Sequence, residues 1–409
     1  MSQGPVERML TTDDVARVLG VKKATVYAYV SRGLLASRRH GGGKESVFRE
    51  TDVRAFAGQR RRAGTSFDGS ETPVTHTGIT LITGDRLYYR GFEATALARR
   101  ESYESVASLL WTGRLEHAAF GADSNLRTVA AAVTGPLPEA ACLTDRLRVI
   151  VAAAGATDPL RFDTSPAAVV ATGRTLLDTM VAALPSLGSE PRVPGGFPLA
   201  GALWERLSAA APTEDGIAAL NAALVLLADH DLAASTYAAR VAASTRADPY
   251  AVVSAGLATL AGPLHGAASG LAVEMLAIAI RTGDVVGTIS DRLRSGGSVP
   301  GFGHPLYSGV DPRAVALLDV TAKAGDDEQA LSVIADVAEA MRSRAGIEPN
   351  VDFALAALSL LTGMRPDAGE TIFAIARTAG WLAHAMEEYA NPPSRFRPTA
   401  RYAGRPPGE

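Results

Sequence analysis

Helical periodicity sets the fold class of this chain. Runs such as SYESVASLLWTG, DRLRVIVAAAG, IAALNAALVLLADH and IFAIARTAGWLAHAMEEY place apolar residues at i, i+3, i+4 and i+7. That spacing lines one face of an α-helix. Alanine recurs throughout, and small side chains let helix axes approach closely. The pattern predicts a mostly α protein of many helices. Residues 250–273, YAVVSAGLATLAGPLHGAASGLAV, contain no Asp, Glu, Lys or Arg, which raises the question of a membrane span. Pro263, His265 and glycines at 256, 262, 266 and 270 interrupt the run, and no Lys/Arg cluster flanks it. Two buried helical segments joined by a turn fit better than a span.

The chain has 409 residues, 47% of them hydrophobic and 20% charged, enough for a large core and two or three domains. The single cysteine, Cys142, excludes an internal disulfide, a CxxC redox motif and a zinc site needing two thiolates. The opening MSQGPVERMLTTDD has no basic-then-apolar signal pattern, so a reducing, cytoplasmic setting is expected. Lysine occurs only at 22, 23, 44 and 323, and no GxxxxGK[ST] loop is present. A P-loop nucleotide site is therefore not expected. Lys323 lies in the charged stretch AKAGDDEQ and reads as solvated surface.

Charge is distributed unevenly. Residues 1–64 hold 13 basic and 6 acidic residues, a net of +7, while the remainder holds 27 basic and 37 acidic, a net of −10. A small basic module thus precedes an acidic body. Thr11 or Thr12 can cap a helix through Leu19, with Asp13 and Asp14 in its first turn. Gly20 stops that helix, and Lys22–Arg32 reads as a second one with Val26 and Val30 facing inward. Gly33 ends it, Leu34-Leu35 resume the core, and SRRHGGGKESVFRETDVRAF suggests a hairpin with a glycine tip followed by another helix.

This succession resembles the winged helix-turn-helix modules of the MerR and excisionase-like families. The resemblance assigns a DNA-binding-like domain to residues 1–58, with a linker over 59–72, QRRRAGTSFDGSET counted from its first glutamine. It implies that Lys22, Lys23, Thr25, Tyr27, Tyr29 and Arg32 face DNA. Arg38, Arg39 and Lys44 would then reach phosphates. A helical module used for protein contact is the alternative reading.

The larger part, 73–409, opens with GITLITGDRLYYRGF, whose alternation and Gly84-Asp85 pair suggest a hairpin. Residues 185–201, PSLGSEPRVPGGFPLAG, read as a Pro/Gly-rich loop. Three histidines lie in apolar or glycine-rich segments: His230 in DHDLAAST, His265 in GPLHGAASG and His304 in VPGFGHPLY. Asp352 stands just ahead of a helix in PNVDFALAAL. Each has a structural explanation, since a histidine at a helix end can be a satisfied cap and an aspartate there an N-cap. No HExxH or comparable metal spacing occurs. The glycines beside His265 and His304 allow close backbone approach to a ligand. Arg313, Arg377 and Arg397 sit in apolar or proline-rich surroundings, and a guanidinium fork there suits a carboxylate. Together these residues suggest carbon-acid chemistry on a polycarboxylate.

With these segments in the same order, residues 78–404 resemble citrate synthases. The resemblance implies large and small helical subdomains, about 73–262 with 372–409 and about 263–371. It makes Asp352 the base that deprotonates the acyl-CoA methyl group, His265 the donor to the thioester oxygen and His304 the polariser of the oxaloacetate ketone. His230, Arg313, Arg377 and, from a partner subunit of a homodimer, Arg397 would bind oxaloacetate. Val299, Pro300, Gly301, Phe302 and Gly303 would lie along the CoA adenine. Acyl-CoA is then a co-substrate and neither metal nor cofactor is implied. Pro305 and Ser308 stand where many members carry basic residues for CoA phosphates, a task open here to Arg342 or Arg344. Ala233 replaces a common asparagine, and Ala354-Leu355 replace a common Tyr-Ser. Acetyl-CoA and propionyl-CoA both fit. Two functions follow as expectations: an acyl-CoA:oxaloacetate synthase, or a DNA-binding regulator whose synthase-like body senses oxaloacetate, citrate or CoA.

Overall fold

The computed structural model describes residues 9–19, 21, 23, 26, 30, 35, 38–39, 46–53, 75–117, 119–121, 123–187, 197–262, 265–266, 268–294, 298–307, 309–394 and 396. The chain divides into two compact units, Met1–Thr75 and His76–Glu409.

In the first unit, β1 (Met9–Thr11) leads into α1 (Thr12–Leu19), followed by β2 (Arg38–Arg39) and β3 (Ser46–Arg49). The sheet order is β1-β3-β2, antiparallel throughout, with Leu10 opposite Phe48 and Arg38 opposite Val47. Thr11 and Asp14 cap α1 reciprocally. The Thr11 N–H donates to Asp14 Oδ2 at 3.1 Å, and the Asp14 N–H donates to Thr11 Oγ1 at 3.3 Å. Positions 23, 26 and 30 are helical, as are 50–53. Leu10, Val15, Val26, Leu35, Phe48 and Val53 form the core, with Val30 packed against it. The pairing of β2 with β3 is the hairpin expected from the glycine-tipped segment. Its tip and the 59–72 linker lie outside the described residues.

The second unit begins with β4 (Thr80–Thr83), β5 (Arg86–Tyr89) and β6 (Phe92–Glu93) in a small antiparallel sheet. Thr83 opposes Arg86, so Gly84-Asp85 is the two-residue turn predicted there. Fifteen helices follow among the described residues. They are α2 (Ala94–Ala98), α3 (Tyr103–Thr112), α4 (Ser124–Thr134), α5 (Leu143–Thr157) and α6 (Pro166–Ala182). Next come α7 (Pro198–Leu207), α8 (Glu214–Leu227), α9 (Ala234–Ser244), α10 (Pro249–Leu260) and α11 (Ala268–Thr282). The last are α12 (Val285–Arg294), α13 (Pro312–Ala324), α14 (Glu328–Ala345), α15 (Val351–Leu361) and α16 (Ala368–Ala390). The uncharged stretch is indeed two helices, α10 and α11, with His265 in the turn between them. No helix among the described residues is long and apolar enough to cross a membrane. The 185–201 segment is only partly a loop. Pro198 opens α7 at its first turn, where its locked φ suits a helix and its missing N–H costs nothing.

Helix α16 organises the unit. Its 23 residues span about 35 Å at the usual helical rise. Nearly every side chain from Ala368 to Ala385 is buried, including Arg377, Trp381 and His384. Neighbours pin its backbone: the Tyr103 hydroxyl donates to the Ala376 carbonyl at 2.8 Å, and Trp111 Nε1 donates to the Ala379 carbonyl at 2.9 Å. At Gly380 the α8 C-terminus comes so close that a Cβ would lie 2.4 Å from the Ala228 carbonyl oxygen. Two hydrophobic cores result. The larger gathers α3–α10 with α16 and takes Ala314 and Leu317 of α13. The smaller joins residues of α11, α12 and α14 to Val299. Helix α15 serves both, giving Leu355 and Leu358 to the first and Phe353 and Ala357 to the second.

Candidate active site

Loop 228–233, between α8 and α9, supplies Asp229 and His230, both buried. Ser235 in the first turn of α9 faces the α10–α11 turn, where its hydroxyl lies 2.8 Å from His265 Nε2. The Ser235 backbone N–H also points at Nε2, at 3.4 Å. Two donors on Nε2 put the ring proton of neutral His265 on Nδ1. Burial, and secondarily the charge of Arg377, pull its pKa down to about 4. His265 therefore stays neutral near pH 7 and presents an N–H donor.

His304 is handled in the opposite sense. The Leu306 N–H donates to its Nδ1 at 3.1 Å, leaving the proton on Nε2. Burial and Arg313 lower its pKa to about 4 against the opposing pull of Asp311. The His230 and His304 rings meet edge to face with centroids 5.0 Å apart. Tyr307, which the sequence reading passed over, closes the group with its hydroxyl 2.8 Å from His230 Nε2. Burial, then Arg313 and Arg377, hold His230 well below the usual histidine range.

Asp352 occupies the second position of α15, not its cap. Asn350 is the N-cap, and its Oδ1 accepts from the N–H groups of Asp352 at 3.0 Å and Phe353 at 3.4 Å. Capping by a neighbour leaves the Asp352 carboxylate without a hydrogen bond among the described residues. Burial raises its pKa to about 6, Arg313 working against the rise and Asp311 with it. The 299–304 loop is strapped to the same helix start. The Gly303 N–H donates to Glu348 O, the Asn350 N–H donates to Gly301 O, and Asn350 Nδ2 donates to Gly303 O, each at 2.9 Å. Gly301 has φ +85° and faces Phe353, so a Cβ there would lie 2.9 Å from the Phe353 Cβ. Only glycine meets both demands.

The two described arginines differ. Arg313 donates to Asp311 through Nε at 3.0 Å and Nη2 at 2.8 Å, so its anion is already within the chain. Asp311 Oδ2 also accepts from the Val351 N–H at 3.1 Å, tying Arg313 to the start of α15. Arg377 is buried with Nε on the Leu227 carbonyl at 2.8 Å, and its Nη1 has no partner among the described residues. Its guanidinium lies 4.5 Å from the centre of the Phe373 ring, which packs edge-on to His265. Burial lowers the Arg377 pKa to about 10 despite the nearby charge of Asp229. An unsatisfied buried guanidinium nitrogen calls for an anion.

Behind these groups runs a buried polar chain that sequence spacing did not reveal. Arg240 Nη1 lies 2.6 Å from His384 Nδ1, and His384 Nε2 lies 3.2 Å from Asp229 Oδ2. Arg240 is also bound by Glu387 at 2.7 Å and by Glu388 at 2.6 Å. Burial pushes the Asp229 carboxyl up, but His384, Arg377 and the Thr80 hydroxyl outweigh it and hold it low. Val299 and Phe302 border an apolar cavity of about 520 Å³ with Leu293, Met341, Ile347 and Arg344. Arg342 is engaged with Glu339 and Glu348 instead.

Arg397 lies outside the described residues, as do Lys22, Thr25, Tyr27, Tyr29, Arg32 and Lys44. Lys23 is exposed and its Nζ lies 2.6 Å from Asp13. Arg38 and Arg39 belong to β2.

The family model described as citrate synthase, C-terminal domain, matches residues 69–399, and a helix-turn-helix domain model matches 9–61. A citrate synthase of Synechocystis is 33% identical over 354 residues, covering 81% of this chain and 89% of that protein. 2-Methylcitrate synthase 2 of Corynebacterium glutamicum is 30% identical over 344 residues, covering 78% and 88%. The structure titled a ternary complex of carboxymethyl coenzyme A and oxaloacetate with Thermoplasma acidophilum citrate synthase has the same fold. Its TM-score is 0.67 at 24% identity, over 82% of this chain and 95% of that one. Fold and relatives together define a helical acyltransferase. The chain belongs to the citrate synthase family and carries a helix-turn-helix domain at its N-terminus.

Proposed function

We propose that the protein condenses acetyl-CoA or propionyl-CoA with oxaloacetate, giving citrate or 2-methylcitrate and free CoA. The observation that carries this reading is the protonation pattern: two neutral histidines with opposite tautomers, and a carboxylate, Asp352, that no hydrogen bond holds among the described residues. Asp352 removes a proton from the carbon next to the thioester. The electron pair moves onto the thioester oxygen, which accepts from His265 Nδ1–H. A donor fixed in a sheltered site stabilises that charge far better than water does. The enolate carbon attacks the keto carbon of oxaloacetate, whose oxygen accepts from His304 Nε2–H, and hydrolysis of the resulting thioester releases CoA. Arg377 Nη1 binds one oxaloacetate carboxylate, with Arg313, His230 and Arg397 of the partner subunit in a homodimer completing the grip. The CoA carrier lies along Val299–Gly303, with Arg344 beside the cavity there as the cation for a phosphate.

The test is thiol release from each acyl-CoA, with and without oxaloacetate. Oxaloacetate-dependent release establishes the synthase, and the ratio of the two rates names it; no release with either thioester overturns both named activities. The pH profile follows from Asp352, which must be ionised to accept a proton. Below about pH 6, kcat/KM should fall tenfold per pH unit. His265 and His304 titrate near 4, too low to produce that limb.

A second reading concerns the basic module, favoured by its helix-turn-helix match and its net charge of +7 over residues 1–64. This module binds DNA, with Arg38, Arg39 and Lys44 on phosphates. Three such contacts predict that log K falls with log salt at a slope of about −3 per module. A flat salt dependence in a mobility-shift titration would exclude this mode. If thiol release is absent, DNA binding that responds to oxaloacetate, citrate or CoA identifies a ligand-sensing regulator.

A further inference from the structure

We propose that a cavity of about 230 Å³ between α3, α4, α6 and α7 is a second binding site, for a small zwitterion with one ammonium and one carboxylate group, such as a free amino acid. None of the groups assigned to the condensation lines it. Its walls include Glu104, Phe120, Arg127, Asp178, Leu199 and Arg206.

Two opposite charges in this wall are incompletely satisfied. Glu104 is only 4% exposed. Its Oε1 accepts from the Leu199 N–H at 2.9 Å, at the start of α7, while Oε2 is sheltered and has no hydrogen-bond partner among the described residues. Arg206, in the last turn of α7, has a sheltered Nε that also lacks a partner among the described residues. A buried acceptor and a buried donor left in this state each cost free energy that a bound ligand would recover.

The geometry fits a molecule with two unlike ends. Leu199 and Arg206 are seven residues apart, so their Cα atoms are separated by about 10 Å along the helix. Helical side chains lean toward the N-terminus, which brings the guanidinium back toward Glu104. Ala202 lies between them, and its small side chain leaves the floor of the cavity open. An ammonium group would donate to Glu104 Oε2 while a carboxylate accepts from Arg206. The other charged pair does not compete, because Arg127 already grips Asp178 through Nε at 3.0 Å and Nη2 at 2.7 Å. Two acids and two arginines leave the wall formally neutral, which disfavours a plain anion or cation. Burial lowers the Arg206 pKa, Glu205 working against the fall and Arg127 with it, and a bound carboxylate would relieve the remaining cost. Phe120 offers an apolar face for the rest of the ligand.

The test is calorimetric titration of the full chain with each of the twenty standard L-amino acids, under saturating oxaloacetate so that the catalytic site is occupied. At least one should bind. The matching 2-oxo acid and the matching decarboxylated amine should bind at least tenfold more weakly. Arg206→Gln should abolish binding, as should Ala202→Phe, which fills the cavity and keeps every charge. Basal thiol release should be unchanged in both variants. Absence of binding by every amino acid would overturn the proposal, as would binding that survives both substitutions.

Discussion

Replacing Asp352 by Asn should lower kcat by about 1,000-fold, the middle of the range for losing a general base. The same substitution should make the protein more stable. The Asp352 carboxyl has a folded pKa of about 6, above the value of 3.8 for an unburied aspartate. A raised carboxyl pKa means that the folded state disfavours the charged form, so at pH 8 the carboxylate costs stability that returns only as pH falls through 6. A neutral amide of the same shape removes that cost, a gain of about 1–3 kcal/mol. No side-chain hydrogen bond among the described residues is lost in exchange. Thermal melting at pH 8 beside single-turnover thiol release checks both halves. A variant that is inactive and less stable would show that Asp352 holds the fold together and is not held at a cost for chemistry.

Arg377→Gln should raise the KM for oxaloacetate by about 10- to 100-fold, the worth of a charged hydrogen bond in a sheltered site. The amide can still donate toward the Leu227 carbonyl, and Thr80 and His384 still hold Asp229. The effect should therefore fall on KM far more than on kcat at saturation. Removing the positive charge also lifts one of the two causes that depress His265. Its pKa should rise, measurable by NMR of the imidazole protons against the parent protein. An unchanged KM would remove Arg377 from the list of oxaloacetate ligands.

What could be read from the sequence was what is local along the chain. The helical runs, the Gly84-Asp85 turn and the break between α10 and α11 each declare themselves within a few residues. The glycines around His304 are equally local, and Gly301 and Gly303 both take positive φ. The misplaced start of α7 was a matter of reading Pro198 as loop when it is a helix opener. Arg313 was read as a cation in need of an anion from outside, although Asp311, two residues away, already pairs with it. Tyr307, Ser235, His384 and Arg240 were hidden for a different reason. Their partners are 77, 30, 155 and 148 residues distant, and no spacing rule reaches that far. The basic module was delimited by charge counting, which says where cations lie in the chain and not what they touch.

Helix α15 gives one face to each core, and this has a mechanical consequence. If the two cores rock against each other as substrate enters, a rod embedded in both behaves as an axle. Points on an axle travel least. Asp352 at its tip, the proposed proton acceptor, would then keep its position while the surrounding walls swing, so that opening for product escape need not dismantle the step that made the product. The straps from Asn350 to Gly301 and Gly303 fasten the 299–304 loop to that same axle. That loop, proposed to carry CoA, and the carboxylate would therefore turn as one piece.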